Sequence, residues 1–158
     1  MKSPYAKTVG YELLHAARLH RARSAQLLQE LGLFPGQEQV LTLLAAQESG
    51  RTMGDLAAEL RVRPPTASKT VARLAAQGLV ERRAVDGDGR VVRVELTEEG
   101  RRRAEAVEGV WGALEKEACD GVDGKDRKRI RKLLRKVGSN LGAQLGAAPG
   151  EDEPDDED

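Results

Sequence analysis

The periodicity of the apolar residues changes at Gly78, and that change limits the fold more than any other feature of the chain. Before it, Ala67, Val71, Leu74 and Ala75 recur at helical spacing. After it, Leu79–Val85 and Val91–Leu96 are valine-rich and partly alternating, as paired strands are. Between those runs lies Asp86-Gly-Asp-Gly-Arg90, a turn with Asp-Gly twice, so the natural reading is a β-hairpin.

The segment upstream of the switch reads as two short helices. Thr52 and Asp55 are spaced as a capping box, and Leu56, Ala57 and Leu60 follow at helical intervals. Arg61-Val62-Arg63 is the turn. Pro64 precedes a second proline, which disfavours helical geometry, whereas Pro65 suits a first helical position. The second helix is therefore expected over 65–77, with Gly78 as its C-terminal stop. Helix, turn, helix and hairpin in this order make a winged helix-turn-helix. The expected fold class is mainly α with a small β-hairpin.

The second helix separates into two faces. Ala67, Val71, Leu74, Ala75 and Gly78 are expected to pack on the core. Thr66, Lys69, Thr70, Arg73 and Gln77 lie opposite, and the Ser68 hydroxyl adds to the same candidate DNA-binding set. A solvated face normally mixes charges of both signs, and this one has no acid. Lys69 suits a phosphate, while Arg73 and the hydroxyls suit base edges. At the wing, Arg90 can enter a narrow minor groove with Asp88 holding it or tying the turn. A calcium loop is excluded there: Arg90 takes the third ligand position, Val91 the required glycine and Thr97 the bidentate glutamate.

Three candidate long helices flank this lobe. Residues 5–31 present Val9, Leu13, Ala16, His20, Leu27 and Leu31 on one broad face. Residues 97–119 present Ala104, Val107, Trp111, Leu114 and Ala118, and residues 125–147 present Ile130, Leu134, Val137, Leu141 and Leu145. One small domain cannot cover all three stripes, so a homodimer built from the N- and C-terminal helices is expected. Its two-fold would place two recognition helices about 34 Å apart, matching a pseudo-palindromic double-stranded operator. Gly138, Gly142 and Gly146 fit either a close helix crossing or a fraying end.

The formal net charge of zero conceals segregation. Residues 61–103 carry eleven Lys or Arg against six Asp or Glu, the footprint of a nucleic-acid binder. Residues 151–158 hold seven acids and no base, and without them 26 basic side chains face 19 acidic ones. That acidic segment is expected to be disordered, serving solubility or competing with DNA for the basic surface. No signal peptide or membrane span is expected, which fits a cytoplasmic protein. Cys119 is the only cysteine, so no internal disulfide forms. His15 and His20 have no partner cluster, and no hydrolase, metalloprotease or nucleotide-binding motif occurs. Neither an enzyme, a cofactor nor a metal site is expected.

The Gly78-Leu-Val-Glu-Arg-Arg stretch, the Asp88-x-Arg90 wing and the Leu96-Thr97-Glu-Glu-Gly100 ending resemble the MarR family of bacterial transcriptional regulators. Leu33-Phe-Pro-Gly-Gln-Glu-Gln-Val-Leu is similar to that family's second helix, except that Phe34 stands where many members have a Thr or Ser cap. The resemblance covers about residues 5–147. It implies a dimeric regulator, a repressor in the first reading, often released from DNA by a small-molecule effector. It also implies an effector pocket where the long helices meet the DNA lobe, which points to His15, Leu19 and Trp111. The division expected is a dimerisation helix over 1–31, the DNA-binding lobe over 32–100, dimerisation helices over 101–147 and an acidic tail over 148–158. The alternative function is a winged-helix protein–protein module without DNA binding; the donor-rich, acid-free helix face argues for DNA.

Overall fold

The computed structural model describes residues 4–47, 49–85 and 88–146; the side chains at 85 and 88–91 lie outside that description. The elements are α1 (Val9–Glu30), α2 (Gln37–Ala45), β1 (Arg51–Thr52), α3 (Met53–Glu59), α4 (Pro64–Ala76), β2 (Val80–Val85), β3 (Asp88–Leu96), α5 (Glu98–Ala118) and α6 (Gly124–Gln144). They form two compact units, Met1–Ala118 and Cys119–Asp158. Helices α1 and α5 pack with the winged elements in the first unit.

The core of the first unit is aliphatic. Leu28 of α1, Val40 and Leu41 of α2, Leu56 of α3, Val71 and Leu74 of α4, Val94 of β3 and Val107 of α5 are fully buried. These residues pin every helix of the winged lobe to α1 and α5 by removing apolar surface from water. Within α1 the buried residues are Ser24 and Leu28, and Leu27 and Leu31 of the expected stripe pack half-buried against the core. Tyr5, Val9, Leu14 and Leu19 all stay exposed. In α5, Ala104, Val107 and Leu114 are buried as expected, Val110 joins them, and Trp111 and Ala118 face outward.

Three local features differ from the sequence reading. Helix α4 begins at Pro64, and the extended residue ahead of it is Arg63, which is itself followed by proline. Two prolines in the first turn cost no hydrogen bond, because those N–H groups have no partner within a helix. The hairpin strands pair as far as Val85↔Asp88, with a register shift at Ala84/Val85. The backbone of Arg90 therefore belongs to strand β3, not to the turn. Finally, β1 adds a third strand, Arg51↔Val94 and Thr52↔Arg93, giving the order β1-β3-β2.

The second unit is built on α6, capped by the Asp123 side chain, which accepts from the Asp126 N–H at 2.8 Å. No residue of α6 is buried, and Ile130, Leu133, Leu134 and Leu141 are exposed. The helix continues through Gly138 and Gly142, and ends where Gly146 turns to φ +68 beyond the C-cap Leu145. Residues 147–158, including the expected acidic tail, lie outside the described residues.

Candidate nucleic-acid interface

Helix α3, which leads into α4, is fixed at its start. The Thr52–Asp55 capping box forms as its spacing demands: the Asp55 N–H donates to the Thr52 hydroxyl at 3.1 Å, and the Thr52 N–H donates to the Asp55 carboxylate at 3.2 Å. The Thr52 hydroxyl also donates to that carboxylate, and these hydrogen bonds hold the Asp55 carboxyl below its ordinary range. The turn into α4 passes through Arg61 at φ +52, an uncommon geometry for a residue with a Cβ.

The far end of α4 closes at Gly78, with φ +71, where the Leu79 N–H returns to the Leu74 carbonyl at 3.0 Å. Thr97 then ties three elements together. Its hydroxyl donates to the Gly78 carbonyl at 2.7 Å and accepts from the Gly100 N–H at 3.0 Å, while its N–H donates to the Leu79 carbonyl at 3.1 Å. A Cβ at Gly100 would stand 1.9 Å from that same Leu79 carbonyl oxygen. The Leu-Thr-x-x-Gly motif is thus a joint between the end of α4, the wing sheet and the start of α5.

Ala67, Val71 and Leu74 are the buried side of α4. Ala75 and Gly78, expected with them, are exposed, because the buried stripe is narrower than the helical spacing allows. Thr66, Ser68, Lys69, Arg73 and Gln77 are exposed and Thr70 half-buried. Their chemical availability differs. The Thr70 hydroxyl donates to the Thr66 carbonyl at 3.1 Å, so its proton is committed within the helix. What it offers outward is a lone pair and a methyl group, the latter suited to a thymine methyl.

Gln77 is engaged within the chain. Its amide NH₂ donates to the Gly32 carbonyl and its carbonyl accepts from the Gln37 amide, both at 3.0 Å. The side chain therefore ties α4 to the α1–α2 connection. The two glutamines are 40 residues apart, so no local pattern signals the pair.

Several arginines of this unit are paired: Arg23 with Glu117, Arg51 with Glu59, Arg83 with Glu81 and Glu95, Arg102 with Glu98 and Glu99, and Arg103 with Glu99. Lys69 and Arg73 have no ion-pair partner among the described residues. Exposed cations on an acid-free helix face are available to phosphates and base edges. The side chains of Asp88 and Arg90 lie outside the described residues, so only their backbone place in β3 is established.

The hollow that Trp111 lines does not include the other two expected effector residues. Trp111 lines a hollow of about 320 Å³ whose other walls come from α2 and the α3 end, including Glu38, Leu43, Leu60 and Arg61. His15 instead stacks on Tyr11 with ring centroids 6.3 Å apart, and neither His15 nor Leu19 lines that hollow. Their separation follows from α1, whose N-terminal half is exposed while its C-terminal half carries the core contacts.

At the start of α2, Phe34 has no hydroxyl with which to cap the helix. The Gln37 side-chain oxygen accepts from the Phe34 N–H at 2.9 Å and the Glu38 carboxylate accepts from the Gly36 N–H at 2.6 Å, so the helix begins at Gln37. Burial pushes the Glu38 carboxyl above its ordinary range, with backbone hydrogen bonds opposing the shift. No group of metal-ligating side chains and no helix long and apolar enough to cross a membrane occurs among the described residues.

Comparison with known proteins places this geometry. Residues 31–91 match the MarR family. The fold superposes on the S. aureus MepR–DNA complex with a TM-score of 0.73 at 23% identity, covering 84% of this chain and 98% of that one. It superposes on reduced MarR from E. coli with a TM-score of 0.72 at 24% identity, over 82% and 95% of the two chains. CouR from Rhodococcus jostii RHA1 bound to p-coumaroyl-CoA gives 0.70 at 22% identity, over 86% and 95%. No curated protein sequence matches the chain. At these identities the superpositions establish the fold, and the similarity to the MarR family lies on residues 31–91, from before α2 into the wing.

Proposed function

We propose that the protein is a transcription regulator of the MarR type, a homodimer that binds a pseudo-palindromic operator and acts as a cytoplasmic repressor. The observation that carries this reading is the α4 face: Lys69 and Arg73 exposed, without an ion pair among the described residues, beside Thr66, Ser68 and Thr70, with no acid on the helix. Lys69 meets backbone phosphate, Arg73 reads a base edge, and the Thr66 and Ser68 hydroxyls supply further donors. Arg90 of the wing reaches the minor groove, with Asp88 organising the turn. Gln77 supports the helix and is not assigned a base.

The exposed apolar faces of α1 and of α6 are the surfaces that a second copy would cover. Without that cover, a large apolar area would stay in water. DNA in the MepR complex and p-coumaroyl-CoA on CouR support the two ligand classes proposed, duplex DNA and a small-molecule effector. The Trp111 hollow is the proposed effector site, in place of a pocket joining Trp111 to His15 and Leu19.

The test is selection of duplexes from a random library, followed by titration of the winner against an unrelated duplex. Lys69→Ala should weaken binding to both and lower the salt slope by about one unit. Arg73→Ala should narrow the gap between them by about 1–3 kcal/mol. If the parent chain enriches no duplex, the winged lobe serves protein association instead.

A further inference from the structure

The unit from Cys119 onward carries a charge pattern that DNA reading by α4 does not explain. Between Lys125 and Lys136 there are eight Lys or Arg and one acid, Asp126. At about 100° per residue, Ile130, Leu133, Leu134, Val137 and Leu141 fall on one arc of α6. Seven of the eight basic residues fall on the opposite arc, with no acid among them. The exception is Arg127, whose guanidinium turns back to the Val122 and Cys119 carbonyls at 2.8 and 3.0 Å. Like charges at i, i+4, such as Lys125–Arg129 and Lys132–Lys136, disfavour the helix that holds them. Lys128 and Arg135 have partners already; the other five, Lys125, Arg129, Arg131, Lys132 and Lys136, make an arc that an anionic chain can cover, whatever covers the apolar side.

The same unit ends in an anion of matching size, the seven acids of residues 151–158. We propose that Glu151–Asp158 docks antiparallel along the basic face of α6 in its own chain. The distances agree. Gly146, at φ +68, stops the helix and takes the chain off its axis. At about 3.3 Å per residue, an extended chain returning from Gly146 reaches about 17 Å at Glu151 and about 33 Å at Asp156. At about 1.5 Å rise per residue, Lys136 and Lys125 stand about 15 and 31 Å back from Gly146. The two charge runs therefore match in length and in sign. Docked, it withholds from other polyanions a face that would otherwise bind any duplex by counterion release.

The docking does not depend on operator recognition and is tested without DNA. Carbodiimide treatment of the full-length protein at low salt, with peptide mass spectrometry, should join acids of 151–158 to Lys125, Lys132 or Lys136. Mixing isotope-labelled and unlabelled chains should leave these crosslinks within one chain. Crosslinks confined to Lys69, confined to mixed pairs, or absent would overturn the proposal, as would full-length protein that binds anionic vesicles through α6. Deletion of 151–158 should raise affinity for a random duplex roughly tenfold or more at about 10 mM ionic strength, with a steeper salt slope. Adding Lys125→Gln, Lys132→Gln and Lys136→Gln to the truncated chain should remove that gain. A gain that survives these substitutions would assign the acids to the winged lobe instead and sink the α6 docking; so would no gain on deletion.

Discussion

Gln37 and Gln77 meet amide to amide, the Gln37 nitrogen 3.0 Å from the Gln77 oxygen, and the Gln77 nitrogen lies equally close to the Gly32 carbonyl. One side chain thereby fixes the C-terminal end of α4 against the α1–α2 connection. Gln77→Ala should cost about 1–2 kcal/mol of stability by urea unfolding, since it removes two hydrogen bonds. Its loss of DNA affinity should be similar on selected and random duplexes. Unchanged stability with collapsed discrimination would make Gln77 a base reader and reject the scaffold role.

Gly100 is the position least tolerant of a side chain. A Cβ there would stand 1.9 Å from the Leu79 carbonyl oxygen, a backbone atom that cannot move without disturbing the Thr97 joint. Gly100→Ala should destabilise the fold by about 3 kcal/mol or more through overpacking and backbone shift. Thermal unfolding checks this, and a variant as stable as the parent would mean that the joint is loose.

Glu38 should shape the pH dependence of stability. Its carboxyl is raised above the usual range by burial, so the folded state binds a proton more tightly than the unfolded state does. The stability this proton confers is fully present below the unfolded value and is lost as pH rises through the folded one. Glu38→Gln keeps an acceptor for the Gly36 N–H and removes the buried charge. It should raise the midpoint of thermal unfolding at pH 7, with the advantage vanishing in acid. A variant less stable than the parent at pH 7 would show that the 2.6 Å bond from Gly36 outweighs the burial cost.

Leu134 and Leu141 lie on the apolar arc of α6, at 47% and 56% exposure. The double change Leu134→Asp with Leu141→Asp would place carboxylates in the proposed seam, where unpaired charge is costly. Light scattering should then report a monomer, and operator binding should fall with it, because one half-site gives too little affinity alone. A stable dimer in this variant would remove α6 from the seam.

Local chemistry was legible in the sequence wherever neighbours along the chain decide the outcome. The Thr52–Asp55 box, the Gly78 stop and the hairpin after it form because capping, left-handed φ and β-branched alternation act over a few residues. Heptad spacing likewise identified Ala104, Val107 and Leu114 as the buried side of α5. Only the tertiary structure decided which members of a stripe find cover. Leu28 is buried while Val9 is not, and Ala75 faces water beside a buried Leu74, because burial depends on where a neighbouring element ends. It also decided which polar side chains remain available. Gln77 and Arg73 lie on one face of α4 and look alike in sequence, yet Gln77 is spent on residues 40 and 45 positions away and Arg73 is free of ion pairs among the described residues. Hydrogen-bond partners at such separations follow from packing, and no periodicity encodes them.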